Sequence, residues 1–442
     1  MQFKLLAAVT CTLVASASAQ TLDLLTAYRL SADSSPVVAQ SMAQFNASHY
    51  ETDIARSALG PRLMLEGSAG LNDLELSGFG PQSIDESYTP YNYRLSLTQP
   101  LLSLAAWSGL QSTRSTLQAR EEELRAVRMD LMLQVSESYF SILRAQAMER
   151  AALTQQTLLK EMADSAESAY RTGSGDIIAV EDARARLDAA EAQLLSARNQ
   201  VLMASRSLER LTHQPVATVA DLDSLEPQAP APDQLAVWEA TATENQPLLI
   251  KAQLEVQANY QLADAADRSR WPVVSLNAEY GYSDGVFAPD INRRESLVGI
   301  SAAWPLFQGG EINATKARAE ALALASRYAM ENLEDQVRLE TQRAFLDLQN
   351  SVAQLTATKR AFQSSTTALG ATRKGQEVGS RTVADVLDSA QRHARAESDY
   401  YLALYNHVLA RLRLKAAAGV LDETDIAEIN ALLFHPVGSE SL

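Results

Sequence analysis

Cysteine is almost absent from the 442-residue sequence: Cys11 stands alone. The chain beyond its leader can therefore form no disulfide, no thiolate metal cluster and no cysteine nucleophile. No uninterrupted apolar run of 18 or more residues follows the leader, which excludes a transmembrane α-helix and leaves strands as the one way to span a membrane. Lys/Arg-rich runs are missing too. With 54 acidic against 38 basic side chains and a net charge of −16, nucleic acid is a poor partner. Histidine is scarce, and His49, His213, His393, His407 and His435 show no HExxH pair or other close ligand spacing. GxSxG, P-loop and GxGxxG motifs are also lacking, so no catalytic residues, no metal and no cofactor are expected.

The last absence is of proline, none of which lies between Pro100 and Pro215 or between Pro305 and Pro436. Both intervals are rich in Ala, Leu, Gln, Glu and Arg, strong helix formers. Apolar residues recur there at three- and four-residue steps, as in Leu124, Val127, Leu131, Val135, Tyr139 and Leu143, the narrow seam of a coiled coil. The pattern breaks at Gly173 and Gly175 in the first interval and at Gly370, Gly375 and Gly379 in the second, so each interval reads as a helical hairpin, 105–213 and 309–421. The first arm, from about Ala105 to Thr172, would be on the order of 100 Å long. Exposed charges such as Arg120-Glu121-Glu122-Glu123 and Glu331, Glu334 and Asp335 keep these rods in water.

At the start, Lys4 precedes an apolar run from Leu5 to Val14, and Ala17-Ser18-Ala19 follows. Residues 1–19 thus read as a cleavable signal peptide, with the mature chain beginning near Gln20. Ahead of each hairpin the period shortens to two. Tyr91, Tyr93, Leu95 and Leu97 alternate with Asn92, Arg94, Ser96 and Thr98; Leu276, Ala278, Tyr280 and Tyr282 alternate with Ser275, Asn277, Glu279 and Ser283; Val298, Ile300 and Ala302 alternate with Gly299, Ser301 and Ala303. A less regular segment runs from Arg62 to Leu71. Strands are expected at about 61–72, 88–101, 272–284 and 296–308, in two pairs joined by Gly/Pro/Asp/Ser-rich connections, residues 72–88 and 283–295. Such alternation fits a soluble sheet with one buried face, and it equally fits a barrel with lipid outside and water inside. The secretory leader and the Tyr-rich apolar faces favour the barrel.

The chain also repeats. Ser34-Ser35-Pro36 to Pro61 parallels Asn245-Gln246-Pro247 to Pro272 at an offset of 211; Pro100 parallels Pro305; Gly173-Ser174 with Ile177, Val180 and Asp182 parallels Gly379-Ser380 with Val383, Val386 and Asp388. Two repeats are expected, 20–213 and 235–421, each a helix, two strands and a long hairpin. A Pro/Ala-rich linker, 214–234, joins them, and a segment, 422–442, ends the chain. Four strands cannot close a barrel, and open edges in lipid would leave backbone groups unsatisfied. Two copies would give eight strands and a filled interior; three would give twelve and a passable bore. A duct favours three. The rival classes are a periplasmic helical scaffold or tether and a surface adhesin without channel activity.

Several segments carry a family resemblance. Val298-Gly299-Ile300 with Trp304-Pro305-Leu306-Phe307-Gln308-Gly309-Gly310 is similar to the strand-to-helix junction of the TolC family of outer-membrane export proteins. Val378-Gly379-Ser380-Arg381-Thr382-Val383-Ala384-Asp385-Val386-Leu387-Asp388 resembles that family's second hairpin tip. Leu412-Arg413-Leu414-Lys415 with Gly419 and Leu421, and Asp425-Ile426 through Asn430-Ala431-Leu432, continue the likeness. The resemblance implies a mixed α and β membrane protein: a homotrimer whose twelve-stranded barrel lies in the outer-membrane lipid of a Gram-negative bacterium, continuous with a long periplasmic coiled-coil tunnel. It implies a passive duct of a tripartite efflux pump or type I secretion system. The partners are a periplasmic adaptor (membrane fusion) protein and an inner-membrane transporter of RND, ABC or MFS type, which open the duct at its tip.

Asp385 and Asp388, three residues apart, share one helix face. They read as first-turn acids favoured by the helix dipole, or, by the resemblance, as two acidic rings at the periplasmic aperture that favour cations. Arg381 stands where the family has a gate-bracing arginine. The family's partner tyrosine is replaced by Gln376, and its Thr-Asp pair by Ile178 and Ala179, so bracing would fall to Gln376, Glu181 and Asp182, or to Asp176; the three acids equally read as charges at a helix N-terminus. Gly173, Ser174 and Gly175 with Gly379, Ser380 and Arg381 are the tips where an adaptor would dock.

Overall fold

The structure, a computed structural model, is described for residues 21–76, 84–222, 225–286 and 291–433; the expected signal peptide lies outside these. The chain forms helices α1 (Leu24–Ser34) and α2 (Pro36–Ser57), then strands β1 (Arg62–Ala69), β2 (Asn72–Leu76), β3 (Ile84–Tyr88) and β4 (Tyr91–Leu102). Helices α3 (Leu104–Arg171), α4 (Ile177–Thr212), α5 (Leu235–Asn245) and α6 (Pro247–Arg268) follow. Strands β5 (Val273–Asp284) and β6 (Asn292–Ala303) precede helices α7 (Glu311–Glu377), α8 (Val383–Ala417) and α9 (Glu423–Asn430). None of the described helices is long and apolar enough to cross a membrane. Two compact units result, each drawing on both halves of the chain: residues 37–127 with 243–339, and the remainder.

In the first unit a four-stranded antiparallel sheet has the order β1-β4-β5-β6. Directly opposite residues share a face, and the register puts Leu65, Leu95 and Tyr280 in one row, Leu63, Leu97, Ala278 and Val298 in the next. The other face is polar: Glu66 stands opposite Arg94, which stands opposite Gly281, itself opposite Glu295. The expected alternation is therefore real. Pro100 has no N–H to give the ladder, and the register slips between Pro100 and Leu102.

Two expectations need correction here. The last strand occupies Asn292–Ala303, not 296–308, because Pro305 cannot donate and the chain turns at Gly309 and Gly310, with φ of 60° and 88°. At its other end Asn292–Glu295 pair with Asp284–Gly281 despite their charge, since the ladder uses backbone groups alone. The connection 72–88 is not merely a loop, because β2 and β3 pair within it as an antiparallel hairpin. Below the sheet, α6 is tied to the start of α3 through Ser112 Oγ to the Ala258 carbonyl (2.9 Å) and Lys251 to Glu123 (2.9 Å). That second contact, with Arg120, holds the Glu123 carboxylate below its usual range against the opposing pull of partial burial.

The second unit is helical. The predicted seam is buried at Leu131, Val135, Tyr139 and Leu143, and α3 pairs with α4 through Ala152, Leu194 and Ala197. A separate cluster packs Trp238 of α5 against Phe345 and Leu348 of α7 and Leu414 of α8. The linker is bound down at several of its described residues. Leu22 N donates to the Thr218 carbonyl (2.9 Å) and the Leu22 carbonyl accepts from Ala220 N (3.0 Å), Lys359 holds Glu226 (2.8 Å), Gln349 reaches Asp233 (2.9 Å), and Trp238 donates to the Pro232 carbonyl (2.8 Å). At the chain's other end, Arg29 of α1 holds Glu423 at the start of α9 (2.7 Å), and Leu25 N donates to Asn430 (3.2 Å).

Candidate functional site: the hairpin tips

Both long hairpins turn by one device. Helix α3 closes on Ala169, whose carbonyl accepts from Ser174 N (2.9 Å), Gly175 N (3.0 Å) and Ser174 Oγ (3.1 Å), while Gly173 sits at φ 78°. Helix α7 closes on Gly375, whose carbonyl accepts from Ser380 N (2.8 Å), Arg381 N (3.2 Å) and Ser380 Oγ (3.0 Å), with Gly379 at φ 75°. A left-handed residue followed by a long backward bond is the usual helix C-cap, and glycine is favoured at the left-handed position. The tips thus correspond residue by residue at the repeat offset.

Of the expected break at Gly370, Gly375 and Gly379, only Gly379 lies in the turn, since α7 runs through the other two to Glu377. Gly375 serves close approach instead. A Cβ placed there would lie 2.8 Å from Arg381 Cγ, and in the first tip a Cβ on Gly175 would lie 3.1 Å from Ala169 Cβ. Each tip therefore pairs one glycine with one side chain, Ala169 with Gly175 and Gly375 with Arg381, and the two tips swap which partner is the glycine. Gly375→Ala should strain the tip, with overpacking costs of typically 1–3 kcal/mol. Adding Arg381→Gly should restore it. Hydrogen exchange at the Ser380 and Arg381 amides reports this directly; a double variant as fast as Gly375→Ala alone would refute the pairing.

The acidic residues are engaged locally. Thr382 caps α8, accepting from Asp385 N (3.2 Å), while Asp385 Oδ2 accepts from Thr382 N and Oγ1, both at 2.9 Å. This capping box is legible in the sequence as Thr-x-x-Asp. The Thr382 backbone N–H, then its hydroxyl and the Arg381 charge, hold the Asp385 carboxyl below its usual range. Asp388 pairs with Arg392 at 2.9 Å, one helical turn on. On the first hairpin Asp176 caps α4 by accepting from Ile178 N (3.2 Å), Glu181 pairs with Arg184 (3.1 Å), and Asp182 pairs with Arg186 (3.0 Å). Arg184 also reaches back to Glu167 on α3 (3.4 Å). The Gln376 carbonyl accepts from Gly379 N (2.9 Å). Within one chain, then, Arg381 is brought beside Gly375 and Asp385, and no ion pair joins it to Glu181 or Asp182 among the described residues.

A family profile described as "Outer membrane efflux protein" matches residues 27–213 and 239–420. The chain belongs to the outer membrane efflux protein family. Its similarity to "Outer membrane protein TolC" of Escherichia coli K12 is 26% identity, over 96% of this chain and 87% of that one. With "Alkaline protease secretion protein AprF" of Pseudomonas aeruginosa it shares 27% identity over 93% and 87%. The outer membrane channel CmeC of Campylobacter jejuni has the same fold, with a TM-score of 0.77 at 15% identity, covering 92% of this chain and 89% of that one. For an outer membrane efflux protein, the relevant chemistry is passage rather than bond-making. Groups of His, Cys, Asp or Glu placed to hold a metal ion are absent among the described residues.

Proposed function

We propose that three copies of this outer membrane efflux protein close one twelve-stranded barrel in the outer membrane and continue it as a periplasmic helical tunnel, forming a passive export duct. The observation that carries this is the sheet: one apolar face, one polar face, and β1 and β6 each paired on one side only. In lipid those edges must be satisfied, and a neighbouring copy can supply the missing partner. Aromatic residues fall at both ends of the apolar face. Tyr93 stacks on Tyr282, with centroids 5.3 Å apart, and the exposed Trp271 and Trp304 flank the opposite strand ends. The eleven residue steps from Trp271 to Tyr282 span about 37 Å along a strand, or about 26 Å at a tilt of 45°, which matches the apolar band of membrane barrels.

In this reading the two sequence repeats, 20–213 and 235–421, supply two strands and one hairpin each. Asp385 and Asp388 ring the periplasmic aperture. Arg381, with Gln376, Glu181 and Asp182 of adjoining hairpins, braces it shut, and the tips at 173–175 and 379–381 receive a periplasmic adaptor joined to an inner-membrane transporter of RND, ABC or MFS type. The protein is expected to purify in detergent as a trimer and to conduct ions across planar bilayers. A water-soluble monomer without conductance would overturn the proposal. For the aperture, Asp385→Asn with Asp388→Asn is the informative pair, because asparagine keeps an acceptor for the α8 cap. Cation preference, read as reversal potential in a salt gradient, is expected to fall several-fold; an unchanged value would remove both residues from the conducting path.

A further inference from the structure

The polar face of the sheet contains a gap that the backbone does not require. Gly281 lies mid-strand in β5, with an unbroken register to Arg94 on one side and Glu295 on the other. Its φ is not in the left-handed region, and a Cβ added there would meet only the Tyr93 carbonyl oxygen, at an ordinary 3.9 Å. A side chain would fit. Glycine inside a strand costs stability and commonly marks a place where something else comes close.

Around the gap the polar face gathers both signs of charge in a shallow depression lined by Asn92, Arg94, Glu279, Ser283, Arg293 and Glu295. Arg293 and Glu295 pair at 3.1 Å along β6. Arg94, across the gap, makes no ion pair among the described residues and is exposed. Adjacent strands are about 4.8 Å apart, so the Arg94 and Glu295 backbones stand about 10 Å from each other with nothing between them but Gly281.

We infer that this gap is a binding station for small zwitterionic solutes on the inner wall of the barrel. Arg94 would donate to the solute's carboxylate, Glu295 and Glu279 would accept from its ammonium group, and the empty Gly281 position would admit the connecting atoms. A dipeptide, which spans at most about 7 Å, bridges the two arms without stretching either. A solute of one sign would be repelled by the like charge at the other side, so the station selects for dipoles over simple ions. The inference rests on the duct reading, since only in a closed barrel does this face line the path.

Glycylglycine is the probe, added to trimers in planar bilayers. The intact protein should show brief concentration-dependent interruptions of current. Gly281→Gln, which fills the gap, and Arg94→Gln with Glu295→Gln, which removes the charges, should each conduct normally and shorten or abolish the interruptions, by about tenfold in occupancy. Should either variant fail to form trimers, Glu295→Gln alone and Arg94→Gln alone provide the comparison. A conducting channel with no interruptions in the intact protein, or with interruptions unchanged in the variants, sinks the station and leaves the duct standing. A trimer that does not conduct at all sinks both.

Discussion

Replacing Tyr139 by alanine is expected to be among the most damaging single changes in the helical unit, lowering its stability by about 4 kcal/mol. Tyr139 is fully buried on α3, its ring edge-on to Phe140 with centroids 5.7 Å apart. Its hydroxyl donates to the Ala220 carbonyl at 2.7 Å and stands 3.1 Å from the Leu22 carbonyl, joining the N-terminal segment and the linker to α3. Burial pushes this phenol far above its usual range, so it remains a donor throughout the working pH range. The alanine variant loses the packing of a whole ring and leaves the buried Ala220 carbonyl and the part-buried Leu22 carbonyl without that donor. Tyr139→Phe keeps the ring, so its cost should be about 1–2 kcal/mol, that of the lost hydroxyl alone. Thermal unfolding in detergent, followed by helical circular dichroism, ranks the three proteins. An alanine variant within 1 kcal/mol of the parent would mean that α3 does not depend on this anchor.

That anchor shows what could and could not be read in the amino-acid order. The long arm expected from about Ala105 to Thr172 is α3, Leu104–Arg171, because helix length is governed by local matters: proline-free composition and a glycine turn. Tyr139 was placed correctly on the buried seam for the same reason. Its two carbonyl partners were invisible, because they lie 81 and 117 positions away and nothing local records which segment will cross a helix. The strands divide in the same way. Alternation located three strands of the four-stranded sheet and a less regular segment the first, while the end of the last depended on a turn at Gly309 and Gly310 that its apolar residues, Leu306 and Phe307, disguised. At the tips the motif marked the turns, but Gly375 reads as a helix breaker in the sequence, whereas in the structure Arg381 lies against it. The Gly281 gap was equally silent, since a glycine in a strand shows its meaning only when its cross-strand neighbours are known.

Acidification is expected to loosen the linker, through His407. This side chain of α8 is fully buried; its Nε2 accepts from Gln228 N at 3.2 Å, so the proton sits on Nδ1, which donates to Ser351 Oγ of α7 at 2.8 Å. Ser351 in turn donates to the Leu348 carbonyl (2.7 Å). The imidazole is thus satisfied only when neutral. Burial first, and the neighbouring Arg411 charge second, lower its pKa from 6.5 to about 4. A base whose folded pKa is depressed binds fewer protons in the closed state than in the open one. Its stabilising contribution is complete above pH 6.5 and declines as the pH falls toward 4, by about 3 kcal/mol in total. Protonation also removes the acceptor that Gln228 needs, so the linker is the first element to feel it. Hydrogen exchange at the Gln228 amide, corrected for its intrinsic pH dependence, should lose protection about tenfold per pH unit between 6.5 and 4. His407→Gln offers an acceptor that does not titrate and should flatten that slope. If the parent protein shows no slope, the linker opens without exposing His407, and the hydrogen bond from Gln228 does not govern its release.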